Sequence, residues 1–114
     1  MRKPRMTLQV QIVLLEMLSD PQASRYGLEL CAATGLPSGT IYPILARLEQ
    51  CGWVESNWED PAEHVAEGRP RRRYYQLTRD GAECADTALE EIRRARSSAA
   101  RGWRVPAPGT GGAG

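Results

Sequence analysis

Apolar residues recur at the period of one helical face over Leu8, Ile12, Leu15 and Leu18, with Thr7 ahead of them as a side-chain cap. The pattern predicts a first helix from about Thr7 to Leu18. Val10, Val13, Leu14 and Met17 widen the apolar surface almost all the way round. Such a helix needs a core on one side and a partner subunit on the other. Asp20-Pro21 breaks the pattern, and a second helix is expected from about Arg25 to Ala33. Ser24 is its candidate cap, Tyr26, Leu30 and Ala33 form its inner stripe, and Gly35 sits where a helix stops. Leu36 and Pro37 then lead to Ser38, the next candidate cap, and to a third helix from about Gly39 to Gln50. Ile41, Ile44 or Leu45, and Leu48 face inward. Thr40, Pro43, Arg47 and Gln50 fall on the opposite face, with Gly39 and Tyr42 at its upper edge. Two helices joined by a tight glycine-containing turn make a helix-turn-helix.

After Cys51-Gly52 the period changes from helical to alternating. Trp53 to Trp58 ("WVESNW") reads as a strand, and Arg71 to Leu77 ("RRRYYQL") as its partner. Arg73, Tyr75 and Leu77 lie on one face of that partner, and Arg72, Tyr74 and Gln76 on the other. Trp53 and Trp58 are expected to pack this hairpin. Between the strands, Glu59 to Pro70 is polar and reads as a loop. Thr78 then caps a last helix running to about Trp103, with a thin apolar seam of Ala85, Ala88 or Leu89, Ile92, Ala95, Ala99 and Trp103. Glu90 and Arg94 are spaced for an i,i+4 ion pair on its solvent side. A helix this long outruns the domain it packs on, so a partner helix is the expected cover. Leu8, Ile12, Leu89, Ile92, Ala99 and Trp103 are the expected dimer interface.

This order of elements predicts a mainly α (α+β) fold, a winged helix-turn-helix with an added C-terminal dimerisation helix. Residues 1–78 would form the DNA-binding domain, 79–104 the dimerisation helix and 105–114 a flexible tail. One residue resists a purely structural account. Proline inside a helix removes a hydrogen bond and clashes with the preceding turn, at a cost of about 3 kcal/mol. Yet Pro43 sits within the third helix. In a helix-turn-helix this helix enters the major groove, and its N-terminal residues meet base edges. Gly39 and Thr40 there allow close approach, and Pro43 offers an apolar, donorless surface. A local rule broken without packing gain marks a functional position. Ser38, Gly39, Thr40, Tyr42, Pro43 and Arg47 are therefore candidate DNA-binding residues, and a kink near a helix start is the competing reading.

Composition narrows the function classes. The 114 residues carry 25% charged side chains and a net charge of only +1, so any electrostatic footprint must come from local clusters. Positive charge gathers in Arg2 to Arg5 and in Arg69, Arg71, Arg72 and Arg73, and acidic charge at Glu55, Glu59, Asp60, Glu63 and Glu67. The second basic cluster lies at the hairpin tip, where arginines can reach phosphates or the minor groove. No apolar run approaches the roughly 20 residues of a membrane span, and no small-residue cleavage site follows the basic start, so a cytoplasmic protein with no membrane partner is expected. Cys31, Cys51 and Cys84 are odd in number and far apart, which argues against a disulfide framework or a zinc site. The one histidine, His64, supports neither a metal site nor a catalytic triad, and no Gly-rich phosphate loop is present. No enzymatic activity, cofactor or metal is expected.

"YGLEL" (Tyr26 to Leu30), "SGTIYPILARLEQCGWVES" (Ser38 to Ser56) and "GRPRRRYYQLT" (Gly68 to Thr78) together resemble the PadR family of bacterial transcriptional regulators. The resemblance covers roughly Leu8 to Ala95. It implies a homodimeric repressor whose third helix and wing bind double-stranded DNA at a palindromic operator, and whose terminal helix dimerises. It also implies release by a small aromatic or drug-like effector, as in some members. Trp103, on the terminal seam, is the tentative effector-binding residue. The acidic loop from Glu59 to Glu67 and the glycine-rich tail depart from the family pattern. A winged helix used for protein interaction and a thiol-based redox regulator are the alternatives from other classes.

Overall fold

A computed structural model describes residues 2–102. The order is α1 (Leu8–Leu18), β1 (Arg25–Tyr26), α2 (Gly27–Thr34), α3 (Ser38–Gln50), β2 (Val54–Trp58), α4 (Pro61–Glu67), β3 (Arg73–Leu77) and α5 (Arg79–Gly102). The antiparallel sheet has the order β1-β3-β2, with Val54 opposite Leu77, Trp58 opposite Arg73, and Tyr26 opposite Tyr74. This is a winged helix-turn-helix with a long C-terminal helix.

Local chemistry explains most boundaries. The Val10 N–H donates to Thr7 Oγ1 at 3.2 Å, and the Gly81 N–H donates to Thr78 Oγ1 at 2.8 Å, so both expected caps open their helices. Gly35 ends α2 at φ 77°, a left-handed conformation that suits glycine. The core unites Val10, Val13, Leu14 and Met17 of α1 with Leu30, Ile41, Leu45, Leu48, Trp53, Tyr75, Leu77, Ala85 and Ala88. Leu45 is fully buried and Ile44 half-buried, which settles the inner face of α3. On α1 the stripe that packs inward is Val10, Val13, Leu14 and Met17. Leu8 and Leu15 on the other stripe remain 62% and 58% exposed.

Several expectations are corrected. Ser24 caps nothing; its hydroxyl bonds Gln76 Oε1 at 3.3 Å, and Arg25-Tyr26 pair with β3 as a short strand. Helix two therefore starts at Gly27, and Ala33 is exposed rather than on an inner stripe. Ser38 is not the cap of α3 but its first residue. Pro37 holds the extended cap conformation, and its carbonyl accepts from the Thr40 and Ile41 N–H groups at 2.9 and 3.0 Å. Glu59 to Pro70 is not all loop, because α4 forms inside it. Asp60 caps α4 through the Ala62 N–H at 2.9 Å, Pro61 opens it, and Gly68 closes it at φ 64°. Trp58 does not pack the hairpin interior. It is 54% exposed, whereas Trp53 is buried. Trp103 and the tail 105–114 lie outside the described residues.

Candidate nucleic-acid interface

The inner stripe Ile41, Leu45 and Leu48 anchors α3 and turns Gly39, Tyr42, Pro43, Ala46, Arg47 and Gln50 to the surface. Thr40 is half-buried, so the outward row runs Gly39–Pro43–Arg47 at i,i+4 spacing and not through Thr40 as expected. A Cβ added at Gly39 would meet no atom within 4 Å, and Pro43 is exposed. Pro43 lacks the N–H that would bond the Gly39 carbonyl one turn back, so that stretch of backbone is thin and smooth. Among the described residues Arg47 has no ion-pair partner, which leaves its charge for a ligand.

Tyr42, 42% exposed, lies over the start of α2. Its ring occupies the space that a Cβ at Gly27 would fill. The adjacent Tyr26 packs edge-on against Tyr74 at 5.7 Å between ring centroids. On its other contact, Tyr26 carries the Arg72 guanidinium over its ring at 4.0 Å. Arg73 bonds Ser56 Oγ at 2.8 Å and Glu49 Oε1 at 3.3 Å, tying β3 to the end of α3. Arg71 and Arg73 each stand 5.6 Å from the Trp58 ring centroid. These contacts bring the wing arginines alongside α3 through the turn that starts α2.

Arg69 behaves differently from its neighbours. Its Nη1 and Nη2 grip both oxygens of Glu59, at 2.7 and 2.5 Å, and its Nε bonds Glu67 at 2.7 Å. Arg69 is thereby tied within the wing to Glu59 and Glu67. Glu59 is 4% exposed, and its Oε1 also accepts from the Arg72 N–H at 3.1 Å. Its own N–H donates to the Arg72 carbonyl at 2.8 Å, and Arg71 Nε reaches its carbonyl at 2.8 Å. Glu59 is thus the latch that closes the wing where the ladder ends. Sequence reasoning missed this role because a glutamate in an acidic run reads as solvated. The one available signal was the offset between the acidic and basic clusters flanking α4.

The Arg69 guanidinium, helped by the Arg72 N–H, holds the Glu59 carboxyl down at about 2. A depressed carboxylate contributes stability above its ordinary value near ~4.3, and that contribution is lost as pH falls towards about 2. The latch should therefore stay closed at pH 5 and open only in strong acid. A side-chain carbon NMR titration of Glu59 should show a midpoint near 2. A midpoint at the ordinary glutamate value would mean that the latch does not form in solution.

The fold is a winged helix-turn-helix, with α3 as the second helix of the motif and the β2–β3 hairpin as the wing. The chain belongs to the PadR-like family of transcriptional regulators, which it matches over residues 14–86. This is a family of DNA-binding regulators and not of enzymes. No curated protein matches the chain. Solved structures are similar in fold. A PadR-like transcriptional regulator from Bacillus cereus is 19% identical, with 87% of this chain and 94% of that one covered at a TM-score of 0.63. A PadR family regulator from Clostridium difficile is 24% identical, with 78% and 92% covered at 0.62. A transcriptional regulator from Clostridium thermocellum is 22% identical, with 83% and 90% covered at 0.61. Among the described residues no helix is long and apolar enough to cross a membrane.

Proposed function

We propose that the chain is a cytoplasmic homodimeric repressor that binds a palindromic operator through α3 and the wing and leaves it when a small aromatic or drug-like effector binds. In this reading residues 1–78 contact DNA and 79–104 dimerise. The observation that carries the DNA reading is the pair Gly39 and Pro43: both weaken α3, both are exposed, and a side chain at Gly39 would meet no atom within 4 Å. A smooth, donorless helix face suits close approach to base edges and thymine methyls. Arg47, Arg71, Arg72 and Arg73 supply the cations, despite a net charge of +1.

Dimerisation is supported by surface left uncovered. Gly81, Ala85 and Ala88 are the buried residues of α5, all in its first half. Leu15 and Leu18 of α1 face Leu89 and Ile92 of α5 across an open groove of about 980 Å³. A second copy of α5 fits this groove, and an effector bound between the copies would change their separation and hence the half-site spacing. Leu8 belongs to the same unpaired face of α1. Ile12 is half-buried and Ala99 exposed.

Pro43→Ala tests the operator-reading role. Alanine restores an N–H and removes a clash, so the variant should melt higher than the wild type. It should nevertheless lose about 1–3 kcal/mol of discrimination between operator and random DNA, the value of one base contact. A higher melting temperature with operator preference intact would reduce Pro43 to a tolerated kink.

A further inference from the structure

The start of α2 holds two DNA-facing groups at once, and the sequence explains how. Tyr26 carries Arg72 over its ring at 4.0 Å. The next residue, Gly27, is buried and opens α2. The three atoms nearest to a Cβ built on Gly27 all belong to the Tyr42 ring and hydroxyl, at separations no real Cβ tolerates. Tyr42 can therefore lie in its observed position only if residue 27 is glycine. Gly27 does not have positive φ, so its backbone conformation needs no glycine. Its lack of a side chain leaves the space that the Tyr42 ring fills. The Tyr42 hydroxyl has no hydrogen-bond partner among the described residues, and the side chain is 42% exposed.

We propose that Gly27 is a positioning residue for DNA binding: its missing Cβ seats Tyr42 against α2, so that the Tyr42 hydroxyl is held ready to donate to a backbone phosphate beside α3. This rests on the DNA-binding reading above. The seat removes rotamer freedom before binding, and a donor held in place loses less entropy on making its bond than a free one. The neighbouring Tyr26 fixes Arg72 from the same turn. The Tyr42 hydroxyl and the Arg72 guanidinium thereby keep one spacing, set by two consecutive residues, the last of β1 and the first of α2.

The chemistry separates positioning from folding. The atoms that a new methyl would hit are the far end of a movable side chain and not backbone. Gly27→Ala should therefore fold with a melting temperature equal to or above the wild type, since alanine favours the helix. Tyr42 must swing away. The affinity for the duplex that the full chain enriches from a randomised pool should fall roughly tenfold, the worth of a hydrogen bond to a charged group. The salt slope should not change, because a tyrosine hydroxyl displaces no counterion and Arg72 is held by Tyr26. In a Tyr42→Ala background the same Gly27→Ala change should cost nothing more. Wild-type affinity in Gly27→Ala, or an equal loss in both backgrounds, would overturn the proposal while leaving the DNA-binding reading intact. Failure of the wild-type chain to bind any duplex would overturn both.

Discussion

Leu89→Arg combined with Ile92→Arg should leave the protein monomeric or aggregated and reduce operator affinity at least a hundredfold. Both side chains are only half-buried within one copy, where they line the groove opposite Leu15 and Leu18. The main docking of α5 on the core runs through the buried Gly81, Ala85 and Ala88, with Leu89 packed at its edge. In a dimer each arginine would face the apolar side chains across the groove, Leu15 and Leu18. Glu90 is already engaged by Arg93 at 2.6 Å and by Arg94 at 3.2 Å, which hold its carboxyl at about 2. An unpaired charge placed in such an interface is neutralised or expelled, and the interface is lost. Losing the second copy removes the second half-site contact, whose effective concentration is worth a factor of about 10²–10⁴. Light scattering reports the mass and a binding titration the affinity. A wild type already monomeric at micromolar concentration would contradict the dimer.

Gly81→Ala should be among the most destabilising single substitutions in the chain. A Cβ there would overlap the Cα, carbonyl carbon and oxygen of Trp53. That backbone cannot give way. The Trp53 N–H is bonded to the Leu48 carbonyl at 3.0 Å, its carbonyl accepts from the Thr78 N–H at 3.0 Å, and Thr78 Oγ1 bonds the Gly52 carbonyl at 2.8 Å. The start of α5 would have to slide off the turn between α3 and β2, opening the core around Trp53. Alanine gains about 1 kcal/mol in a helix over glycine, whereas overpacking against fixed backbone costs about 1–3 kcal/mol and occasionally more. The net expected loss, up to about 2 kcal/mol, corresponds to a drop in melting temperature of up to about 8 °C for a domain of just over 100 residues. A rise in melting temperature would show that the α5 contact is looser than described. Gly27 and Gly81 thus make a contrasting pair: one abuts a movable ring, the other fixed backbone.

The sequence announced elements wherever side-chain period and backbone chemistry agreed. Thr7 and Thr78 as caps, Gly35 as a stop, and the Ile41–Leu45–Leu48 stripe all act as their types predict. Trp53 was legible as a packing residue, but Trp58 was not, because alternation cannot tell a core face from one covered by arginines. Ser24 and Ser38 look like caps by type. In each case a neighbour already held the extended backbone, Tyr26 through its sheet pairing with Tyr74 and Pro37 through its fixed φ. Helix α4 carried its own start and stop in Asp60, Pro61 and Gly68, yet its charge and lack of buried residues hid it. Arg69 and Arg71 are the same residue type two positions apart. Only the three-dimensional approach of Glu59 assigns one to the latch and leaves the other at the surface. The role of Gly27 was invisible for the same reason, since its reason for being glycine is a ring fifteen residues later in the chain.

Sequence-specific recognition of DNA through α3 and the wing should be visible in equilibrium binding across a range of salt. The duplex enriched by the full chain from a randomised pool should be compared with its scrambled counterpart. The account predicts affinity that falls linearly with salt on logarithmic axes, with preference for the enriched duplex of about 10³ or more. It also predicts a slope reduced by about one for each wing arginine that is replaced, with Arg71→Ala and Arg72→Ala as the first two. Absent binding, or an affinity indifferent to salt and to sequence, would contradict it.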